Sequence, residues 1–290
     1  MKLLHKKRVL RAFYYASRWR VKRLLCLPEE PNLHVVQSGS AAALARNRRI
    51  CLTLLPYFQS IPDLHGGVAA EIGSGDCLGA ADMALGIGAR HVHLLDQRPI
   101  IISPHHKAII NSLATDKSLP NAGEILLHGE QATLNTHKAT AHTGLLESVG
   151  LPEPADLIYS FDVLEHVEDL SGFFRRCREM SKAETVHVHK FDLSGHEFFE
   201  DPVDPLDFQT YPDWLFNTIF PRYRRAVGHM ADEIFDALTA NGCIIEQVVP
   251  LRTAEKDYLQ RIKPRLRHKA RQRDNQTLAL LDVIVVARQT

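Results

Sequence analysis

The sequence predicts an α/β protein built on a doubly wound, mostly parallel sheet of seven strands. Short apolar segments alternate with segments of helical periodicity along most of the chain. A glycine-rich turn joins one such strand to the helix after it, and an acidic residue closes the next strand. Strands separated by helices run parallel and need cover on both faces.

The 290 residues are enough for one large domain, and a hydrophobic content of 45% is enough for its core. With 35 basic and 34 acidic side chains the net charge is +1, so the chain as a whole lacks the charge excess of a nucleic-acid binder. The five cysteines (Cys26, Cys51, Cys77, Cys177, Cys243) are scattered and form no C-x-x-C pair. That pattern argues for reduced thiols in the cytoplasm and against a disulfide framework or a thiolate zinc site. No apolar run approaches the roughly 20 residues that span a bilayer.

Residues 1 to 27 carry nine Lys and Arg and no acid. Leu3, Leu10, Tyr14, Val21 and Leu25 fall on one helical stripe. Such a helix packs on its own protein, on a partner or on an anionic membrane. Pro28 to Pro31 ends it, and Ala41 to about Phe58 forms a second helix, stopped by Ser60-Ile61-Pro62. Residues 1–62 thus read as a basic helical extension, and 63–290 as the main domain.

In that domain Val68–Ile72 is the first strand, and Ala80 to about Gly88 the first helix. His91–Leu95 is the second strand, Pro104 to about Ala114 a helix, and Glu124–His128 the third strand. Ala155–Ser160 is the fourth strand, Leu170–Met180 a helix, and Thr185–His189 the fifth strand. Met230–Ala240 is a helix, with Cys243–Val249 and Leu280–Ala287 as the last two strands. No helix of ordinary length separates those two, so they are expected to pair antiparallel around a basic insert, Lys256 to Arg273. An insertion at about 192–228, after the fifth strand, is rich in aromatics and proline.

The chemistry-bearing turn reads Glu71-Ile72-Gly73-Ser74-Gly75, with Gly79 four residues on. Glycine there lets backbone approach a ligand at a helix N-terminus. The spacing is one residue longer than the dinucleotide fingerprint. A carboxylate beside the turn repels a diphosphate and accepts from an ammonium group, so Glu71 points to a cationic, amino-acid-like ligand and away from a nicotinamide dinucleotide. Asp96, followed by Gln97, closes the second strand; its two oxygens suit the paired hydroxyls of a ribose. The fourth strand runs into Phe161-Asp162-Val163-Leu164-Glu165-His166-Val167.

These three segments, in this order, resemble the class I S-adenosylmethionine-dependent methyltransferases. The resemblance covers about residues 66 to 197. It implies a Rossmann-like methyltransferase fold with S-adenosylmethionine as cofactor. Glu71, Gly73, Ser74, Gly75 and Gly79 would hold its methionine part, and Asp96 with Gln97 its ribose. Phe161 and Asp162 would close over it, and Glu130, placed after the third strand, would reach the adenine amino group.

Methyl transfer from a sulfonium is an in-line displacement, and an oxygen or protonated nitrogen acceptor also needs a base. His196 is the first candidate, with Asp192 to orient it, and His166 is the other. Asp162, Glu165 and His166, with His196, could instead form an oxygen and nitrogen metal site; no metal is expected. The acceptor expected is a small molecule or glycan, facing the aromatic insertion as a lid. The alternatives are a partner-binding protein without activity and an RNA methyltransferase that uses the two basic stretches.

Overall fold

In the computed structural model the structure describes residues 40–127, 132–195, 203–217 and 228–290, with positions 10, 14, 17 and 21 before them. Seven strands form one sheet: β1 (Val68–Ile72), β2 (His91–Asp96), β3 (Ala139–Thr143), β4 (Ala155–Phe161), β5 (Ser181–Asp192), β6 (Cys243–Thr253) and β7 (Leu280–Gln289). Their order is β3-β2-β1-β4-β5-β7-β6. The first five pair in parallel, and β7 runs antiparallel between β5 and β6. This is the expected fold class, and the antiparallel pairing of the last two strands is also as expected.

Strand periodicity divides the core in two. Val92, Leu94, Leu157, Tyr159, Val186 and Val188 face α1 (Ser40–Gln59), α2 (Gly79–Ile87) and α3 (Pro104–Ala114). Val68, Ala70, Leu95, Ile158 and Phe191 face α4 (Leu170–Glu179) and α5 (Ala231–Ala240). The sequence of α4 shows why it lies there. Leu170, Phe173, Phe174 and Cys177 recur at helical spacing and are buried, and the Asp169 carboxylate caps the first turn by accepting from Gly172 N at 2.9 Å. On the other face, Ile50, Leu54 and Phe58 of α1 lie in the same core as the sheet.

The third strand is a correction. It is Ala139–Thr143, an edge strand of alternating burial without the branched apolar run that marks a central strand. Residues 124–127 make only one isolated antiparallel bridge, Leu126 to Leu134. The N–H groups of Glu124 and Ile125 donate to the Asp82 carboxylate, so they are not available to a strand partner. With this the reason for placing Glu130 beside an adenine falls away, and Glu130 itself lies outside the described residues.

The two insertions meet. Leu206, Phe208, Tyr211, Leu215 and Phe216 form one apolar cluster with Tyr258, Leu259, Ile262 and Leu266 of the segment between β6 and β7. The Tyr258 hydroxyl donates to Asp204 at 2.6 Å and accepts from Leu206 N at 2.8 Å. The second basic stretch is therefore largely structural. Arg267 stacks 3.8 Å over the Phe216 ring and donates to Gln209 and Gly228, while Lys269 and Arg273 pair with Glu233 and Asp232. No described helix is long and apolar enough to cross a membrane.

Two histidines of β5 sit on the α4 face. His187 and His189 are fully buried, and His189 Nδ1 shares a 2.8 Å hydrogen bond with Ser160 Oγ. Burial pushes the His187 pKa down to about 4. A depressed histidine keeps its full contribution above the unfolded value of about 6.5 and loses it as pH falls through the folded value. The stability difference between the wild type and H187N should therefore shrink by about 2 kcal/mol between pH 7 and pH 5. Urea titrations of both proteins at the two pH values check this, and parallel profiles would refute it.

Candidate functional site

The glycine turn, the end of β2 and the segment after β4 meet at the carboxyl edge of the sheet. Gly73 and Gly75 adopt φ of +72° and +57°, the left-handed region where a side chain is strained. Gly73 N donates to Leu95 O at 2.7 Å. Gly75 N donates to Asp96 Oδ2 at 2.8 Å, and Arg98 N to Asp96 Oδ1 at 2.9 Å. A Cβ on Gly73 would lie 2.4 Å from Val163 Cγ2, so the segment after β4 closes on the turn itself. Ser74 is buried, and its Oγ has no hydrogen-bond partner among the described residues. A buried hydroxyl without a partner, between two glycines, is suited to a polar ligand.

Gly79 opens α2, and its N–H donates to Asn47 Oδ1 of α1 at 2.9 Å, so it ties two helices together. Gln97 is exposed beside Asp96. Glu71, expected to accept from an ammonium group, is engaged within the sheet. It sits 4% exposed between β1 and β4 and accepts from the Tyr159 hydroxyl at 2.9 Å. Burial raises its pKa to about 8, so in this structure it is a largely neutral carboxyl at pH 7.

The other wall is a network of charges. Phe161 is buried, with the Lys190 ammonium 5.0 Å and the Arg49 guanidinium 5.7 Å from its ring centre. Asp162 has φ of +57°, the kind of backbone strain that clusters at functional sites. Lys190 comes up from β5, 3% exposed, and pairs with Asp162 and with Asp282 of β7, the latter at 2.8 Å. Burial works to lower the Lys190 pKa, but the two aspartates outweigh it and hold it above its ordinary value. Glu165 is 2% exposed; its Oε1 accepts from Asp192 N at 3.4 Å, and its Oε2 has no partner among the described residues. Burial, reinforced by Asp162, pushes its pKa well up.

Of the expected catalytic groups, His166 is one-third exposed, with Nε2 3.9 Å from Glu165. Asp192 accepts from Ser194 N and Oγ at 2.9 and 2.6 Å, and Arg252 of β6 lies 3.0 Å from it. His196, its expected partner, lies outside the described residues. Among the described residues, no group of three His, Cys, Asp or Glu could hold a metal ion.

Sequence reasoning missed Lys190, Asp282 and Arg252. Lys190 and Asp282 had a signal, a charge inside an otherwise apolar strand. Arg252 had none, because only the register of β6 on β7 brings it across from Asp192.

No protein-family model and no curated protein matches the chain. Solved structures do. A geranyl diphosphate C-methyltransferase from Streptomyces coelicolor, bound to Mg2+, geranyl diphosphate and S-adenosyl-L-homocysteine, is 11% identical, with a TM-score of 0.49 over 87% of this chain and 84% of its own. Phosphoethanolamine N-methyltransferase 2 from Haemonchus contortus, bound to S-adenosyl-L-methionine, is 15% identical, with a TM-score of 0.49 over 89% of this chain and 59% of its own. An S-adenosylmethionine-dependent methyltransferase from Mesorhizobium loti is 17% identical, with a TM-score of 0.45 over 81% of this chain and 97% of its own. By its own strand order and the antiparallel seventh strand, the chain has the Rossmann-like methyltransferase fold.

Proposed function

We propose that the chain is an S-adenosylmethionine-dependent methyltransferase acting on an oxygen or nitrogen of a small-molecule or glycan-type acceptor. One observation carries this reading: the glycine turn, Asp96 and the Phe161–His166 segment, separated by up to 95 positions, are joined by Gly75 N to Asp96 Oδ2 at 2.8 Å and by Val163 against Gly73. The residues fit the cofactor. The bare turn with the orphan Ser74 hydroxyl suits the polar methionine end, and Asp96 the ribose hydroxyls.

The cofactor supplies a methyl group on a sulfonium. The protein's work is alignment and exclusion of water. Phe161 and Val163 cover the site, and Lys190 fixes Asp162 beside it. Asp192 and Arg252 offer an acceptor and a donor that suit hydroxyls of a sugar-like substrate. His166, one-third exposed, is the group we assign to take a proton from the acceptor.

Calorimetry with S-adenosylmethionine and, separately, with NAD tests the reading. Micromolar binding of the former and none of the latter is expected. In D96A the affinity should fall by about 30-fold, since two hydroxyl donors lose their acceptor. Absence of S-adenosylmethionine binding by well-folded wild type would leave a partner-binding protein on this fold.

A further inference from the structure

The glycine turn is held from a second side. Gly75 N donates to Asp96 of β2, and the carbonyl of the following residue, Asp76, accepts from His106 Nε2 of α3 at 3.1 Å. His106 is 2% exposed. Its other nitrogen, Nδ1, faces the N-cap of α3, with Ser103 N at 3.1 Å and Ser103 Oγ at 2.9 Å.

These partners fix the state of the ring. A backbone N–H can only donate, so Nδ1 accepts from Ser103 N. A carbonyl can only accept, so Nε2 carries the hydrogen shared with Asp76 O. Only the neutral imidazole makes both bonds. A charged ring has hydrogens on both nitrogens and sets N–H against N–H at Ser103. The titratable groups that act on the ring are Asp76 in the turn and His105 beside it on α3. Burial holds the His106 pKa below its ordinary value, while Asp76 pulls the other way.

We propose that His106 is a positioning residue for the cofactor, fixing the glycine turn through a hydrogen-bond relay that only the neutral ring completes. The relay runs from Ser103 N–H to Nδ1 and from Nε2–H to Asp76 O, so the start of α3 sets where the turn stands. As pH falls the ring gains a proton, Ser103 N loses its acceptor and the relay breaks. Cofactor affinity therefore declines in acid through a residue that acts by way of the turn. The inference rests on the methyl-transfer reading.

The test is calorimetry with S-adenosylmethionine between pH 5 and pH 7 on the wild type, H106L and H106Q. Leucine removes both bonds. Glutamine keeps an amide N–H for Asp76 O and an oxygen for Ser103 N, and it does not titrate. At pH 7 H106L should bind about tenfold more weakly than the wild type, and H106Q should recover most of that loss. From pH 7 to pH 5 the wild-type affinity, taken as a ratio to that of H106Q, should fall about threefold. The ratio cancels the titration of the cofactor's own amino group. The amide resonances of Gly75 and Cys77, followed without cofactor, should titrate over the same range in the wild type and not in H106Q. Parallel pH profiles of the wild type and H106Q overturn the proposal, as does wild-type affinity in H106L. If the wild type binds no S-adenosylmethionine, the methyl-transfer reading fails and the turn amides decide the relay alone. Their titration being absent from the wild type, or still present in H106Q, overturns it.

Discussion

Replacing Asp82 by alanine is expected to destabilise the protein by about 4 kcal/mol, because it leaves three backbone N–H groups without acceptors. Asp82 sits in the first turn of α2 and is fully buried. Its Oδ1 accepts from Glu124 N at 2.9 Å and Ile125 N at 3.1 Å. Its Oδ2 accepts from Gly123 N at 2.9 Å and Asn121 Nδ2 at 3.2 Å. Burial raises its pKa, opposed by these same donors. A loop after α3 is thus pinned to the helix that begins at the glycine turn. Each donor left dry costs roughly 1–3 kcal/mol, and water entering the gap recovers part of the sum. D82N keeps one oxygen and should cost about half as much. Urea denaturation measures both, and hydrogen exchange at Gly123, Glu124 and Ile125 should accelerate in D82A before the rest of the sheet opens. A loss below about 1 kcal/mol would show that the loop holds itself.

Asp82 also shows where the sequence was legible and where it was not. An aspartate inside a short apolar helix looks like a solvated charge, and its partners lie about 40 positions on in a loop without periodicity. That loop was read as a strand because Ile125, Leu126 and Leu127 are apolar in a row. Ile125 and Leu126 are buried in the core, while the N–H groups of Glu124 and Ile125 go to the Asp82 side chain. By contrast, β1, β2 and β4 were legible because each is a short, mostly apolar run closed by a turn. The candidate site was legible where backbone geometry demands a residue type, as at Gly73 and Gly75. It was less so where a side chain's role depends on what crosses the sheet. Glu71 stands in the right place in the sequence, but only the packing of Tyr159 and α1 decides that its carboxyl is buried and neutral. Lys190 and Asp282 lie 92 positions apart in the chain and meet only because β7 inserts beside β5.

That meeting sets up the second large effect. K190M should cost about 3 kcal/mol and weaken S-adenosylmethionine binding at least tenfold. Lys190 neutralises two carboxylates in a place that is 3% exposed for the lysine itself. Methionine fills the same volume but leaves Asp162 and Asp282 facing each other without a cation. Both carboxylates retain some exposure, 24% and 18%, so hydration relieves them and the cost stays at the low end of the range for a broken buried pair. Burial already raises the Asp282 pKa in the wild type, with Lys190 acting against it. Without the lysine it must rise further, and a raised carboxyl regains stability as pH falls toward it. The destabilisation by K190M should therefore be smaller at pH 5 than at pH 7.5, and D282N/K190M should be more stable than K190M alone. The binding loss has a separate origin: Asp162 holds a left-handed backbone next to Phe161, and the ion pair with Lys190 keeps it there. K190R, which keeps the charge, should retain most of the affinity. If K190M binds S-adenosylmethionine like the wild type, the strained turn at Asp162 is held by β4 and Val163 alone, and the lysine serves the sheet and not the site.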